Sequence, residues 1–381
     1  MNGLSKRIAI VAVAESDEIG HVPDKSSLQH HAEAAYNALD DCGLAKGDVD
    51  GLLTAGLSTV ITAEYMGIQP SFTDSTYLGG SSFVVHVAHA VAAIRAGYCE
   101  VAMITHGQAG RSGRSRPPED AIRPYVQYEV PYGITHPPMY YSMMCTRYMH
   151  EHGEARTREG LAEIAVATRR WAHLNPRALM HDRPMSFQDY HDSRWISWPF
   201  HLFDCCLVTD AGAAVVITTE ERARDLDKRP VWVLGAAEGH DHDMVSQMPD
   251  LTSSIAAETG RTALAMAGVS HADIDLAMLY DSFTYTVLAS LEALGFCGRG
   301  EGPDFVKGQR TAPGGDFPLN TNGGGLSYTH PGMYGIFTVV EAVRQLRGEV
   351  GDRQVNGCET ALAHGTGGSM SSTGTVVLAT G

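Results

Sequence analysis

One stretch of this chain is written twice. Ala32, Glu33, Ala38, Leu39, Gly43 and Asp48-Val49-Asp50 reappear as Ala257, Glu258, Ala263, Leu264, Gly268 and Asp273-Ile274-Asp275, each pair 225 positions apart. Each copy reads as a helix with apolar residues at helical spacing, stopped by a glycine and followed by an acidic turn into an apolar stretch, Gly51 to Thr54 or Leu276 to Tyr280. A strand precedes each helix, Ile8 to Ala14 and Val231 to Ala236. The continuation repeats too. Gly79-Gly80-Ser81-Ser82-Phe83 opens an apolar helix to Gly97, and Cys99-Glu100-Val101-Ala102 then enters a strand ending at His106-Gly107. Its echo is Gly324-Gly325-Leu326-Ser327-Tyr328, a helix from about Gly335 to Leu346, and Cys358-Glu359-Thr360-Ala361 leading to His364-Gly365.

Strands alternating with glycine-bounded helices imply a parallel or mixed sheet covered by helices, here made twice. A chain of 381 residues also exceeds the usual single core. The halves are expected at 1–225 and 226–381. Residues from about 110 to 197 have no counterpart in the second half, and Arg158 to Leu174 within them has helical spacing. They read as an inserted loop subdomain, the kind of addition that carries specificity on a rigid scaffold.

Charge narrows the partners. With 28 Lys plus Arg against 44 Asp plus Glu, the formal charge of -16 repels phosphate backbones and anionic lipid, which excludes nucleic acid and a membrane surface. The seven cysteines, Cys42, Cys99, Cys145, Cys205, Cys206, Cys297 and Cys358, have neither C-x-x-C pairing nor zinc spacing and read as reduced cytoplasmic thiols. The run Ile8 to Ala14 is too short for a signal peptide and meets Glu15 at once, and no apolar run reaches the ~20 residues of a membrane span.

Four motifs then occur in a telling order. They are Gly79-Gly80-Ser81-Ser82, then Asp204-Cys205-Cys206 with Thr209-Asp210-Ala211-Gly212-Ala213-Ala214, then Tyr280-Asp281-Ser282-Phe283, then Asn320-Thr321-Asn322-Gly323-Gly324 with Thr329-His330-Pro331-Gly332. Their order resembles the thiolase superfamily, above all its sterol-carrier-protein-linked and lipid-transfer-protein-like branch. Thiolases there carry Cys-Gly-Ser-Gly, Ser-Asp-Gly-Ala-Ala, Asn-Glu-Ala-Phe and Asn-x-Asn-Gly-Gly … Gly-His-Pro. The resemblance implies an α/β thiolase fold: duplicated βαβαβαββ halves forming a layered α/β/α/β/α core with the inserted loop subdomain.

The departures decide the chemistry. The position of the thiolase nucleophile, normally a thiolate at a helix start, is Gly79, and the Cys-x-Gly-Gly-Gly that supplies the second cysteine is replaced by His364-Gly365-Thr366-Gly367-Gly368. Cys99 and Cys358 precede buried strands and cannot substitute. Acyl transfer through sulfur is lost, while sheltering the enolate of an acyl-CoA thioester is not. The resemblance to lipid-transfer-protein-like aldolases of steroid side-chain degradation implies retro-aldol cleavage of a β-hydroxyacyl-CoA to a ketone or aldehyde and a shorter acyl-CoA, with tyrosines as acid and base. It also implies a homodimer and a small OB-fold partner of the DUF35 type that can carry zinc. This chain itself is expected to bind no metal, CoA entering as part of the substrate.

Tyr285 and Tyr334 are the candidate acid/base pair, with His330 and His364 as oxyanion donors or partners of a phenolate and Asp281 holding a water, an imidazole or a helix end. Gly79, Gly80, Ser81 and Gly324 are expected to let backbone approach the thioester. Arg111, Arg114, Arg116 and Arg123 form a basic cluster suited to CoA phosphates, an acidic partner or plain solvation. The five lysines sit near polar turns or termini, which disfavours a Schiff base, and His240-Asp241-His242-Asp243 reads as a solvated loop before a metal site. Two rivals stand beside the aldolase: an acyltransferase or Claisen-type enzyme using Ser81 or Ser82, and a non-catalytic scaffold that binds acyl-CoA.

Overall fold

The computed structural model describes residues 7–113 and 124–380. The first half runs β1 (Ile8–Glu15), α1 (Ser27–Cys42), β2 (Gly51–Thr54), β3 (Phe72–Asp74), α2 (Ser82–Ala96) and β4 (Val101–Ala109). The inserted segment contributes α3 (Pro137–His152), α4 (Glu154–His173) and a small hairpin of β5 (Trp195–Ser197) and β6 (Phe200–His201), after which β7 (Asp210–Thr219) returns to the sheet. The second half runs β8 (Val231–His240), α5 (Ala256–Ala267), β9 (Leu276–Leu279), α6 (Thr284–Ala293), α7 (Gly335–Arg347), β10 (Thr360–Gly367) and β11 (Ser372–Ala379).

Strand order is β3-β2-β4-β7-β1-β8-β11-β10-β9, so four neighbouring strands of one half, β2-β4-β7-β1, are mirrored by β9-β10-β11-β8 of the other. Among the described strands, pairing between the halves occurs where Ala9 and Ile10 meet Trp232 and Val231. Helices α2 and α7 each touch strands from both halves, whereas α1 packs on β1, β4 and β7 and α5 on β8 and β11. The result is five layers, α/β/α/β/α. α2 is apolar on nearly every side, with Phe83, Val84, Val85, Val87 and Ile94 buried, because it has sheet on two sides. Each such side chain contributes roughly 1.5–3 kcal/mol through burial.

The repeat extends to its hydrogen bonds. Gly43 and Gly268 both cap their helices in the left-handed region, at φ 77° and 70°. The Asp50 carboxylate accepts the Glu100 and Val101 amides at the start of β4, and Asp275 accepts those of Glu359 and Thr360 before β10. One expected strand is missing. Where the first half has β3, the second has a single bridge between Leu319 and Ala277, because Asn320, at φ 52°, turns the chain away after Pro318. No described helix is long and apolar enough to cross a membrane.

Candidate active site

Side chains gather where strands of the second half end, the place at which open α/β sheets present ligands. Tyr280 and Asp281 follow β9 directly, and the Tyr280 amide still donates to the His364 carbonyl, at 3.0 Å. The Tyr280 hydroxyl lies 2.9 Å from Nε2 of His330. The Tyr334 ring meets Tyr280 edge-on at 5.7 Å and stacks 6.3 Å from His330. Its hydroxyl donates to Oδ1 of Asn322, at 2.8 Å, and the same oxygen accepts the Gly324 amide. From the first half, His106 at the end of β4 lies with Nε2 3.0 Å from the Pro331 carbonyl, which fixes the His-Pro-Gly turn. Tyr141 of α3 reaches in from the inserted segment, donating to the Gly368 carbonyl at 2.9 Å. All of these side chains are buried.

Burial sets their protonation. It pushes the His330 imidazole down to about 4, so the ring is neutral at physiological pH. It holds the phenols of Tyr280 and Tyr334 well above 10, hence protonated. Asp281 is pushed up to about 7 by burial, against the opposing pull of the Gly325 and Leu326 amides that its carboxylate accepts. Its phenols are thus neutral donors and its His330 a neutral acceptor, with Asp281 half-ionised near pH 7, an arrangement suited to stabilising charge that develops during a reaction.

The glycines explain why no nucleophile fits. Gly79 sits at φ 60°, and a side chain there would meet the Gly368 amide at 3.0 Å. A Cβ on Gly80 would lie 2.4 Å from Cε2 of Tyr280, so the tyrosine ring fills the space beside the start of α2. Gly324 is pressed on Asp281, whose Oδ2 would lie 2.0 Å from a Cβ. Ser81 donates to the Leu78 carbonyl and Ser82 to the Gly79 carbonyl, so both hydroxyls are committed to the local turn. Burial raises the thiols of Cys99 and Cys358 to about 11 and about 12, far from thiolate.

His330 and Tyr334 therefore come together as expected, with Asp281 beneath them as an anchor for the turn at Gly324–Tyr328. Two candidates do not join them. Tyr285 is corrected: it is the second residue of α6, its ring lies edge-on to Tyr148 at 5.7 Å, and its hydroxyl makes only a 3.4 Å contact with the Leu251 carbonyl. His364 is corrected as well. Ala361 and Ala363 of β10 face the core between the sheets, so alternation turns His364 the other way, where Nδ1 lies 2.9 Å from the Thr375 hydroxyl, itself 3.0 Å from Thr259 of α5. Tyr280 was legible inside its motif, at the last position of an apolar strand, while His106 and Tyr141 carried no signal beyond a strand end and a helical spacing. Among the described residues no group of His, Cys, Asp and Glu could hold a metal; His242 instead pairs with Asp241 at 2.5 Å. Of the basic cluster, only Arg111 is described, its amide bonded to Asp210; Arg114, Arg116 and Arg123 lie outside the described residues.

Comparison with known proteins agrees with this architecture. Residues 237–380 match the family described as thiolase C-terminal domain-like. A 17-hydroxy-3-oxo-4-pregnene-20-carboxyl-CoA lyase of Mycobacterium tuberculosis is 37% identical over 364 residues, covering 91% of this chain and 92% of that one. A steroid side-chain-cleaving aldolase of Thermomonospora curvata is 35% identical, covering 94% of this chain and 95% of that one. The solved structure of an Ltp2-ChsH2(DUF35) aldolase superposes with a TM-score of 0.90 at 33% identity, covering 98% and 97% of the two chains. Human mitochondrial 3-ketoacyl-CoA thiolase, 16% identical with a TM-score of 0.72, shares the fold.

Proposed function

This chain belongs to the thiolase superfamily, in its SCP2-thiolase-like, steroid side-chain aldolase branch, and from that membership we propose that it cleaves a steroid-type β-hydroxyacyl-CoA by a retro-aldol reaction. The observation that carries the reading is the hydrogen-bonded Tyr280–His330 pair, with Tyr334 packed on both rings, beside a helix start where glycines leave no room for sulfur.

The β-hydroxyl proton passes to neutral His330 through the Tyr280 hydroxyl. The Cα–Cβ bond breaks, its electron pair goes to the thioester as an enolate, and the β-carbon leaves as a ketone or aldehyde carbonyl. Tyr334 then gives its proton to the α-carbon, and the proton held on His330 restores the phenol through solvent. Nothing is oxidised and no acyl-enzyme forms. Imidazolium next to an enolate is favoured by attraction, which offsets the low basicity that burial imposes on His330. Asn322 orients the Tyr334 hydroxyl, and Asp281 fixes the turn that carries Asn322's neighbours.

A DUF35-type subunit, as named in the solved relative, is proposed as the partner, with an OB fold and any zinc residing there; CoA enters as part of the substrate and the proposed assembly is a homodimer in the cytoplasm. The test is turnover in D2O with the partner present. The shorter acyl-CoA should carry one deuterium at its α-carbon, and Tyr280→Phe should lower kcat on the order of 100-fold with the Tyr334→Phe variant. Cleavage without deuterium, or full activity in Tyr280→Phe, refutes the assignment.

A further inference from the structure

Every residue of the segment Asn320-Thr321-Asn322 is held from outside itself. The Asn320 carboxamide oxygen accepts the Leu279 amide at 2.8 Å, next to Tyr280 on β9. The Thr321 hydroxyl donates to Glu341 of α7, at 2.8 Å, and accepts from Gln345, at 2.9 Å. The Asn322 carbonyl accepts Nδ2 of Asn175, at 2.8 Å, from just beyond α4 of the inserted segment. Glu341 is itself clamped by Arg353, whose Nε and Nη2 each lie 3.0 Å from its two oxygens. Arg353 also reaches Oδ1 of Asn175, at 3.5 Å, tying the two supports together. Glu341 and Asn175 are buried, and Asn320 is kept in a left-handed conformation that few non-glycine residues adopt.

Glu341 is buried and Arg353 nearly so, and taking two charges out of water is a costly way to hold a loop. What it fixes here is Asn322 Oδ1, the acceptor for the Tyr334 hydroxyl. We propose that Asn175, Glu341 and Arg353 are positioning residues for the lyase reaction, fixing through Asn322 where the Tyr334 hydroxyl rests before it turns its proton to the α-carbon, without touching substrate. The inference rests on the role assigned to Tyr334. It also makes the inserted segment, through Asn175, a support for the reacting groups.

The discriminating variant is Asn175→Asp. It keeps the acceptor for Arg353 and for the Arg177 amide but turns an oxygen toward the Asn322 carbonyl in place of a donor. In the complex with its partner, kcat should fall on the order of 100-fold with KM unchanged within about twofold, the loss expected when a reacting group is misplaced by about 1 Å. Arg353→Lys, which keeps the charge and loses the fork, should fall by about 10-fold and serves if Asn175→Asp does not fold. In a Tyr334→Phe background Asn175→Asp should cost nothing further. Unchanged kcat in Asn175→Asp, a rise in KM that accounts for the loss, or equal losses in both backgrounds overturns the proposal. Full activity of Tyr334→Phe alone instead removes the reading on which it rests.

Discussion

Asp281 should reveal itself in how stability depends on pH. Burial raises its carboxyl from 3.8 to about 7, so between those values the folded protein holds a proton that the unfolded chain has released. Stability then falls as pH rises through that window, by about 1.4 kcal/mol per pH unit. From pH 5 to pH 7 the loss is about 2 kcal/mol, because the folded carboxyl is itself half-ionised at pH 7, and above about 8 it stops. The buried histidines act in the opposite sense: His86, His106, His330 and His364 are depressed to about 4 and His31 to about 3, so they favour folding as pH rises toward 6.5. A raw stability curve therefore mixes the two, and the difference between wild type and Asp281→Asn isolates the carboxyl. The asparagine sets an N–H against the Gly325 or Leu326 amide, which costs about 1–3 kcal/mol at every pH and shifts the difference curve without tilting it. Urea titrations at pH 5, 6, 7 and 8 should show the wild-type advantage shrinking by about 2 kcal/mol from pH 5 to pH 7. A flat difference, or one growing with pH, refutes the claim that Asp281 is folded with its proton.

Three further outcomes follow from the same geometry. Tyr285→Phe should leave kcat within about twofold, because its hydroxyl faces Leu251 and not the cluster; steady-state kinetics on the complex decide this. Gly80→Ala should lower kcat on the order of 100-fold and lower Tm, since the new methyl lies 2.4 Å from the Tyr280 ring and 2.7 Å from the Thr366 carbonyl, and the backbone side cannot yield. Incubation with a radiolabelled acyl-CoA, quenched in acid, should leave the intact mass of the chain unchanged, and a persistent adduct on Ser81 or Ser82 would restore the acyltransferase alternative.

The duplication could be read from sequence because it is written in residues whose job is local. Gly43 and Gly268 must be glycine to cap a helix, Asp50 and Asp275 must be short acids to receive two strand-initiating amides, and such requirements recur at fixed spacing. The site was less legible. His330 and Tyr334 follow a turn whose direction the motif dictates, and the structure brings their rings together. Tyr285 and His364 were chosen by proximity in sequence to motif residues, and each fails on phase: a rotation of α6 and a strand alternation in β10 send them to the layer that packs on α5 and the inserted helices. Phase at an element's end depends on where regular structure starts, which one or two residues decide. Tyr141 and Asn175 come from a segment without an internal copy, so nothing in the repeat could place them.

Loss of the cysteines is built into the packing here, not just into the spelling. In a sulfur-dependent site the start of α2 must offer a side chain to the cleft. Here Gly79 is backed by Gly368 and Gly80 by the Tyr280 ring, while Gly335 brings α7 against the Gly80 carbonyl, which would lie 2.1 Å from a Cβ. These contacts support one another, so a cysteine at position 79 alone would have to hold a strained left-handed backbone at φ 60° and would crowd the Gly368 amide at 3.0 Å. The Tyr280 ring occupies the space beside Gly80, and its phenol is hydrogen-bonded to the neutral imidazole of His330. On the proposed mechanism packing and reaction are linked, since the ring that crowds the start of α2 also carries the β-hydroxyl proton to His330.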